Sequence, residues 1–205
     1  MVKVKVCGIT RMQDALLAVE LGADILGFNF WPGTLRRIDL ENARKIFSEV
    51  KGKTEIAGVF VNQPLQDIIE VAQAIQMDWA QLHGEETPEY CNEVAIPVIK
   101  ALRLDSEADL RILNRYSGVR WLIDSKTPQY GGSGVSPDWG LAKKAGVRAG
   151  KIILAGGLNP ENVAEAIKAV QPWAVDVASG VEGSPGIKDH LKLEKFIEAV
   201  RNATG

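Results

Sequence analysis

Two side chains at the ends of apolar runs could exchange protons with a small substrate. Cys7 follows the alternating segment Val2–Val6, and Asp124 follows Trp121-Leu122-Ile123. A thiolate can remove a proton, and a carboxyl group in apolar surroundings can donate one near neutral pH because its pKa is raised. Two alternatives stay open, since a free cysteine is often a small buried hydrophobic residue and an aspartate often caps a loop.

Two glycine-containing segments late in the chain could bind a phosphate group. One is Gly156-Gly157-Leu158-Asn159-Pro160, and the other is Ser179-Gly180-Val181. Glycine lets backbone N–H groups approach an anion, and a helix N-terminus adds partial positive charge. The same glycines could serve only as tight turns, so the phosphate interpretation depends on a fold that brings the two segments together.

Three further polar side chains could contact a substrate. Arg36 could hold a carboxylate through two parallel hydrogen bonds, or it could form a solvated loop pair with Arg37. His83 could bind substrate or be a structural histidine, and Asp176 interrupts a late apolar run. The histidines and carboxylates lack the spacing of metal ligands, and no Walker A or dinucleotide fingerprint is present. We therefore expect no metal and no cofactor.

These residues are carried by short strands that alternate with helical patterns, in eight units of about 25 residues each. The predicted strands are Val2–Val6, Ile25–Phe30, Glu55–Val61, Trp79–His83, Pro97–Leu102, Val119–Asp124, Lys151–Ala155 and Trp173–Ala178. Eight such units in 205 residues predict a (β/α)8 TIM barrel, with a single domain over residues 1–205. An open doubly wound sheet is the competing architecture.

The helices between the strands are expected to begin at capping residues. The predicted starts are Thr10 (with Gln13 completing a capping box), Asp39, Thr87-Pro88, Ser136-Pro137 and Asn159-Pro160, with further helices over Pro64–Gln76 and Ser106–Arg115. The last helix is expected to bury Leu193, Phe196, Ile197 and Val200, which recur at helical spacing.

A TIM barrel places its active site at the carboxyl ends of the strands. Cys7 ends the first strand, and alternation puts Lys3, Lys5 and Cys7 on the inward face. Asp124 ends the sixth strand. The two glycine segments follow strands seven and eight, where such barrels commonly hold a phosphate.

The composition and charge pattern of the chain limit the kinds of molecule that it is expected to bind. The chain has 24 Lys and Arg against 26 Asp and Glu, with no block of like charges, so no basic face for nucleic acid is expected. No run approaches the roughly 18 apolar residues of a membrane span. The alternating N-terminus differs from a signal peptide, and two distant cysteines suggest no disulfide framework. These features favour a cytoplasmic protein whose partner is a small molecule.

Five segments, in order along the chain, resemble the phosphoribosylanthranilate isomerases of tryptophan biosynthesis. They are Cys7-Gly8-Ile9-Thr10, Gln81-Leu82-His83-Gly84-Glu85, residues 124–134, residues 155–162 and residues 176–182. The similarity extends over essentially the whole chain.

The resemblance implies an Amadori rearrangement of N-(5-phosphoribosyl)anthranilate to 1-(2-carboxyphenylamino)-1-deoxy-D-ribulose 5-phosphate. It assigns Asp124 as the general acid, Cys7 as the general base, and Arg36 as the residue that holds the anthranilate carboxylate. His83 and Asp176 would line the site. The residues assigned to the phosphate are Gly132, Ser133, Gly134, Gly156, Gly157, Ser179 and Gly180. A thiol needs modest help to act as a base, and helix N-termini could lower its pKa further.

Other phosphate-binding barrel enzymes are the nearest alternatives. A pentose-phosphate epimerase would need two aspartates and metal-binding histidines, and an indole-glycerol-phosphate synthase would need a catalytic lysine and glutamate at strand ends. A barrel that only binds a phosphorylated ligand would keep the glycine loops and lose the acid or the base. The chain offers both Cys7 and Asp124. Monomers and homodimers both occur among the isomerases that it resembles.

Overall fold

Eight parallel strands close into a barrel in a computed structural model, which describes residues 1–124 and 138–204. The strands are β1 (Lys3–Cys7), β2 (Ile25–Asn29), β3 (Glu55–Phe60), β4 (Trp79–Leu82), β5 (Val98–Arg103), β6 (Val119–Asp124), β7 (Ile152–Leu154) and β8 (Ala174–Val177). Each strand pairs with the next, and β8 pairs with β1 to close the ring. The predicted (β/α)8 barrel is confirmed.

Helices connect the strands and surround the barrel. They are α1 (Met12–Glu20), α2 (Leu40–Val50), α3 (Leu65–Ile75), α4 (Pro88–Glu93), α5 (Trp139–Ala149), α6 (Val163–Val170) and α7 (His190–Thr204), with a 3₁₀ helix over Glu107–Arg115 between β5 and β6. The four residues predicted to be buried on the last helix are buried on α7. None of the helices within residues 1–124 and 138–204 has the length and apolar content that crossing a bilayer requires.

The predicted caps succeed where the partner is local. The side chain of Asp39 accepts a hydrogen bond from the N–H of Asn42, and Thr87 caps α4 in the same way. The prediction for Thr10 is wrong, because α1 begins at Met12 without a side-chain cap. The hydroxyl of Thr10 donates instead to the carbonyl of Gly186, at 2.5 Å.

Two other helix starts differ from the prediction. α6 begins at Val163, since the side chain of Asn159 closes a turn by accepting from the N–H groups two and three residues later. The Ser136-Pro137 start lies outside the described residues. In the described part of the chain, α5 begins at Trp139, and the side chain of Asp138 provides its cap.

Alternating residues divide the packing between two layers. Val4 and Val6 of β1 are fully buried in the large cluster between the strands and the helices, on the other face of the strand from Lys5 and Cys7. The inside of the barrel at β5–β8 holds a smaller apolar cluster, consisting of Ile99, Ala101, Leu122, Ile153, Ala155 and Ala174. Inside β1, by contrast, the buried side chain is Lys5.

The segment after β8 contains a hairpin that the sequence pattern did not predict. A short 3₁₀ turn, Ser179–Val181, leads into β9 (Glu182–Ser184), which pairs antiparallel with β10 (Ile187–Lys188). The ammonium of Lys188 donates to the carbonyls of Cys7 at 2.7 Å and Ala178 at 3.1 Å. The hairpin therefore ties the end of β1 to the end of β8.

Candidate active site

A pocket opens at the carboxyl ends of the strands and gathers the five side chains that sequence analysis singled out. Its lining includes Cys7, Arg36, His83, Asp124 and Asp176. Those residues are spread over 170 positions of the chain, and the closed barrel brings them together.

Cys7 lies at the end of β1 and is almost fully buried, with 8% of its surface exposed. Its neighbour on β2 is Gly27, where a methyl group would stand 2.9 Å from the sulfur. Burial raises the pKa of the Cys7 thiol, and the positive charges of Lys5 and Lys188 oppose that effect. The expectation that helix N-termini lower this pKa further stays a prediction, and lysine side chains supply positive charge near the thiol.

Lys5 occupies the inward position two residues before Cys7 and has no exposed surface. Its ammonium lies 2.7 Å from a carboxylate oxygen of Asp176, which is the β8 residue that pairs with Lys5 across the barrel seam. The ammonium also lies near the Cys7 thiol, since a methyl group at Gly27 would stand 2.9 Å from the Cys7 sulfur and 3.2 Å from the Lys5 nitrogen. Alternation placed Lys5 inside the barrel, but sequence analysis gave it no role.

Asp124 ends β6 and is 5% exposed. One of its carboxylate oxygens lies 3.2 Å from Nε2 of His83, and Nδ1 of that ring lies 3.0 Å from the side-chain nitrogen of Gln81. The Gln81 amide donates to Nδ1, so Nε2 carries the ring proton and donates to the carboxylate. Inward parity on β4 thus explains why Gln81 and His83 share one hydrogen-bonded chain that ends on Asp124.

Arg36 reaches the pocket from the loop after β2. Its Nε and Nη2 atoms donate to the carboxylate of Glu182, at 3.0 and 2.7 Å. Glu182 also forms an ion pair of 3.1 Å with Lys188. Burial acts to raise the pKa of Glu182, but the hydrogen bonds from Arg36 and the charge of Lys188 outweigh it, so the pKa is lowered. Sequence analysis assigned no role to Glu182 or Lys188, because the hairpin that presents them carries no periodic signal.

The glycine segments meet where the loops after β7 and β8 border the pocket. Gly156, Gly157 and Ser179 line it, and the two glycines have positive φ values of 84° and 58°. Gly180 packs so tightly on the carbonyl of Leu158 that a methyl group there would overlap it. The loops after β7 and β8 are therefore in direct contact, as the phosphate interpretation requires. Three further predicted residues, Gly132, Ser133 and Gly134, lie outside the described residues.

Comparison with known proteins decides the family. A family model for N-(5'-phosphoribosyl)anthranilate (PRA) isomerase matches residues 4–199. The chain belongs to the phosphoribosylanthranilate isomerase family. The family resemblance found in the sequence is confirmed, and so is the isomerase activity in tryptophan biosynthesis that it implies.

Similar members of the family are known as sequences and as structures. The N-(5'-phosphoribosyl)anthranilate isomerase of Thermotoga maritima is 47% identical over 207 residues, covering 100% of both chains. A phosphoribosylanthranilate isomerase solved with reduced 1-(o-carboxyphenylamino)-1-deoxyribulose 5-phosphate is 44% identical, with a TM-score of 0.89 over 98% of this chain and 100% of that one. Monomers of the dimeric Thermotoga maritima enzyme give 44% identity and a TM-score of 0.88, with the same coverage.

Proposed function

We propose that this isomerase rearranges N-(5'-phosphoribosyl)anthranilate, with Cys7 as the general base and Asp124 as the general acid. The observation that supports the proposal best is a single pocket lined by a thiol, a carboxyl group, an arginine and two touching glycine loops. A substrate with a carboxylate at one end and a phosphate at the other fits that arrangement of groups.

The first step opens the ribose ring. Asp124 donates a proton to the ring oxygen, the C1–O bond breaks, and the lone pair of the anilino nitrogen forms the C=N bond of a Schiff base. The transfer leaves a carboxylate on Asp124. The hydrogen bond from Nε2 of His83 stabilises this anion, because a donor favours the charged form of a carboxyl group.

The second step moves a proton from carbon. The Cys7 thiolate takes the proton at C2, the released electron pair forms a C1=C2 bond, and the C=N pair returns to nitrogen. The resulting enolamine tautomerises to the ketone product. Hydrogen is redistributed within the substrate, so the reaction balances without an external oxidant or reductant, and we propose that no cofactor takes part.

Two sets of groups bind the substrate: Arg36 and the glycine loops. Glu182 engages the Nε–Nη2 edge of Arg36, so we assign the Nη1–Nη2 edge to the anthranilate carboxylate. Asp176 and His83 line the space between. The phosphate is assigned to the backbone of Gly156, Gly157, Ser179 and Gly180, together with Gly132, Ser133 and Gly134 outside the described residues.

The proposal also covers the domain organisation, the location, the partners and the oligomeric state of the protein. Residues 1–205 act as one domain in the cytoplasm, and the partner is a small phosphorylated substrate rather than nucleic acid or a membrane. The protein acts as a monomer or as a homodimer, and the dimeric Thermotoga maritima relative is the precedent for the homodimer.

Loss of substrate fluorescence, followed with freshly prepared N-(5'-phosphoribosyl)anthranilate, tests the assignment of acid and base. We expect Cys7→Ala and Asp124→Asn each to lower kcat about 100- to 10,000-fold, the usual contribution of a positioned acid or base. Cys91→Ala is the matched control, because that cysteine is equally buried but lies on α4, away from the pocket. Near-normal turnover in a correctly folded Cys7→Ala or Asp124→Asn variant would remove the role assigned to that residue.

A further inference from the structure

A buried charge lies directly beneath the proposed base. The Lys5 ammonium is enclosed inside the barrel, where it lies 2.7 Å from the Asp176 carboxylate and beside the Cys7 thiol. The Cα of Gly27 closes the same space, since a methyl group there would stand 2.9 Å from the sulfur and 3.2 Å from the Lys5 nitrogen. The sulfur and the ammonium are therefore packed against one backbone position.

Stability alone does not account for this arrangement. A buried ion pair seldom improves on apolar residues of the same volume, because both ions lose their hydration. The neighbouring strands β5–β8 fill the inside of the same barrel with an apolar cluster. An apolar pair would therefore suit the positions of Lys5 and Asp176 if packing were their only task.

We propose that Lys5 is a positioning residue for Cys7: its ammonium stabilises the Cys7 thiolate, and Asp176 keeps that ammonium charged and in place. The inference rests on the proposed role of Cys7 as the base. A thiolate enclosed by protein requires a nearby cation, because desolvation favours the neutral thiol.

Lys188 supplies a second positive charge near Cys7, and its effect on the pKa of the thiol is smaller than that of Lys5. Lys188 donates to the carbonyl of Cys7, and its charge is paired at 3.1 Å with Glu182, which Arg36 also engages. The negative charge of Asp176 disfavours the thiolate, and it is paired with Lys5 at 2.7 Å. Across the pocket, Asp124 and His83 contact each other.

The protonation state of Lys5 is consistent with this role. Burial acts to lower the pKa of Lys5, but the charges and hydrogen bonds of Asp176 and Cys7 outweigh it, and the pKa is raised. Lys5 is therefore an ammonium at neutral pH. Its charge opposes the burial that raises the pKa of the Cys7 thiol.

The pH dependence of Cys7 alkylation by iodoacetamide measures thiolate formation directly and needs no catalysis. The Cys91→Ala background isolates Cys7, and burial raises the pKa of Cys91 to about 11 in any case. We expect Lys5→Met to move the alkylation midpoint of Cys7 upward by about one pH unit or more, a tenfold loss of thiolate at a given pH. Lys100→Met is the matched control, because it removes an equally buried ammonium outside the barrel and should leave the midpoint in place.

The double variant Lys5→Met/Asp176→Asn guards against a folding defect, because it removes both charges of the pair together. It should shift the midpoint upward by less than Lys5→Met alone, because the negative charge of Asp176, which opposes the thiolate, is removed as well, and Lys5→Arg should restore most of the thiolate. An unchanged midpoint in folded Lys5→Met, or a downward shift in the folded double variant, would overturn the inference, and neither result would alter the loss of activity expected in Cys7→Ala. Full activity in Cys7→Ala would instead overturn the proposed function, whatever the alkylation midpoint of the Lys5 variants.

Discussion

Two regions of the molecule bury lysine–carboxylate ion pairs, and they use them differently. We call Lys5, Asp176, Glu182 and Lys188 the rim network, because they lie along the seam between β1 and β8. Lys100 and Glu86 form the outer pair, with 3.1 Å between nitrogen and oxygen, on the helix side of β5. The lysines Lys5 and Lys100 are 0% and 4% exposed, so burial does not distinguish the two regions.

The other hydrogen-bond partners of these charged side chains distinguish the rim network from the outer pair. Lys100 also donates to the carbonyls of Leu82, Gly84 and Ala101, and Glu86 accepts from the N–H groups of Gly84 and Asn62. The outer pair therefore supports the backbone of the loop after β4. The rim network instead adjoins pocket side chains, since Lys5 lies beside the thiol of Cys7 and Glu182 pairs with the guanidinium of Arg36. A buried charge identifies a site only when its other partners belong to that site.

The largest effect on stability is expected in the outer pair. Lys100→Met leaves the Glu86 carboxylate buried without its cation, and breaking such a pair costs about 3–5 kcal/mol of unfolding free energy. Urea unfolding measures this loss, and the turnover of the remaining folded enzyme should stay close to that of the parent. A severe loss of kcat under fully folded conditions would contradict the comparison, because it would make the outer pair part of the site.

A smaller effect, on substrate binding, is expected from a change in the rim network. Glu182→Gln keeps the shape of the side chain but removes the charge that orients Arg36. We expect KM to rise about tenfold with kcat nearly unchanged, because a contact made equally in the ground and transition states affects KM alone. Glu41→Gln is the control, since Glu41 pairs with Lys45 on the exposed face of α2. A pure fall in kcat would assign Glu182 to the chemical step instead.

The sequence distance between hydrogen-bond partners also explains which features of the structure could be predicted from the sequence. The barrel follows from periodicity, and β6 has the predicted bounds of Val119–Asp124. Alternation correctly placed Lys5 and Cys7 inside. Asp39 caps α2 because its partner is three residues away, whereas Thr10 failed as a cap because its partner is Gly186, 176 positions away.

The same reasoning applies to the site. Cys7 and Asp124 could be proposed because strand ends are visible in the sequence and the motifs recur in order. Glu182 could not be assigned a role, because its partner Arg36 is 146 positions away and the strand that carries it is only three residues long. A contact of that kind becomes apparent only when the barrel closes.

The smallest predicted effect is a pH dependence that separates the charge of Glu182 from its shape. Arg36 and Lys188 hold the folded-state pKa of Glu182 below its ordinary value, despite burial. A carboxyl group whose pKa is lower in the folded state than in the unfolded state, where it is about 4.3, stabilises the protein above that pH. That stabilisation is lost as the pH falls through the folded-state pKa.

Glutamine does not titrate, so the stability of Glu182→Gln lacks this contribution at every pH. Urea unfolding of the parent and the variant should therefore differ most near neutral pH and converge as the solution is acidified below about pH 4, where the free carboxyl group protonates. Glu41→Gln, measured in parallel, should follow the parent closely over the same range, because its pair with Lys45 is exposed to solvent. Equal stability of the parent and the variant at every pH would show that the shape of Glu182, which glutamine keeps, is sufficient to support Arg36 and that its charge contributes nothing.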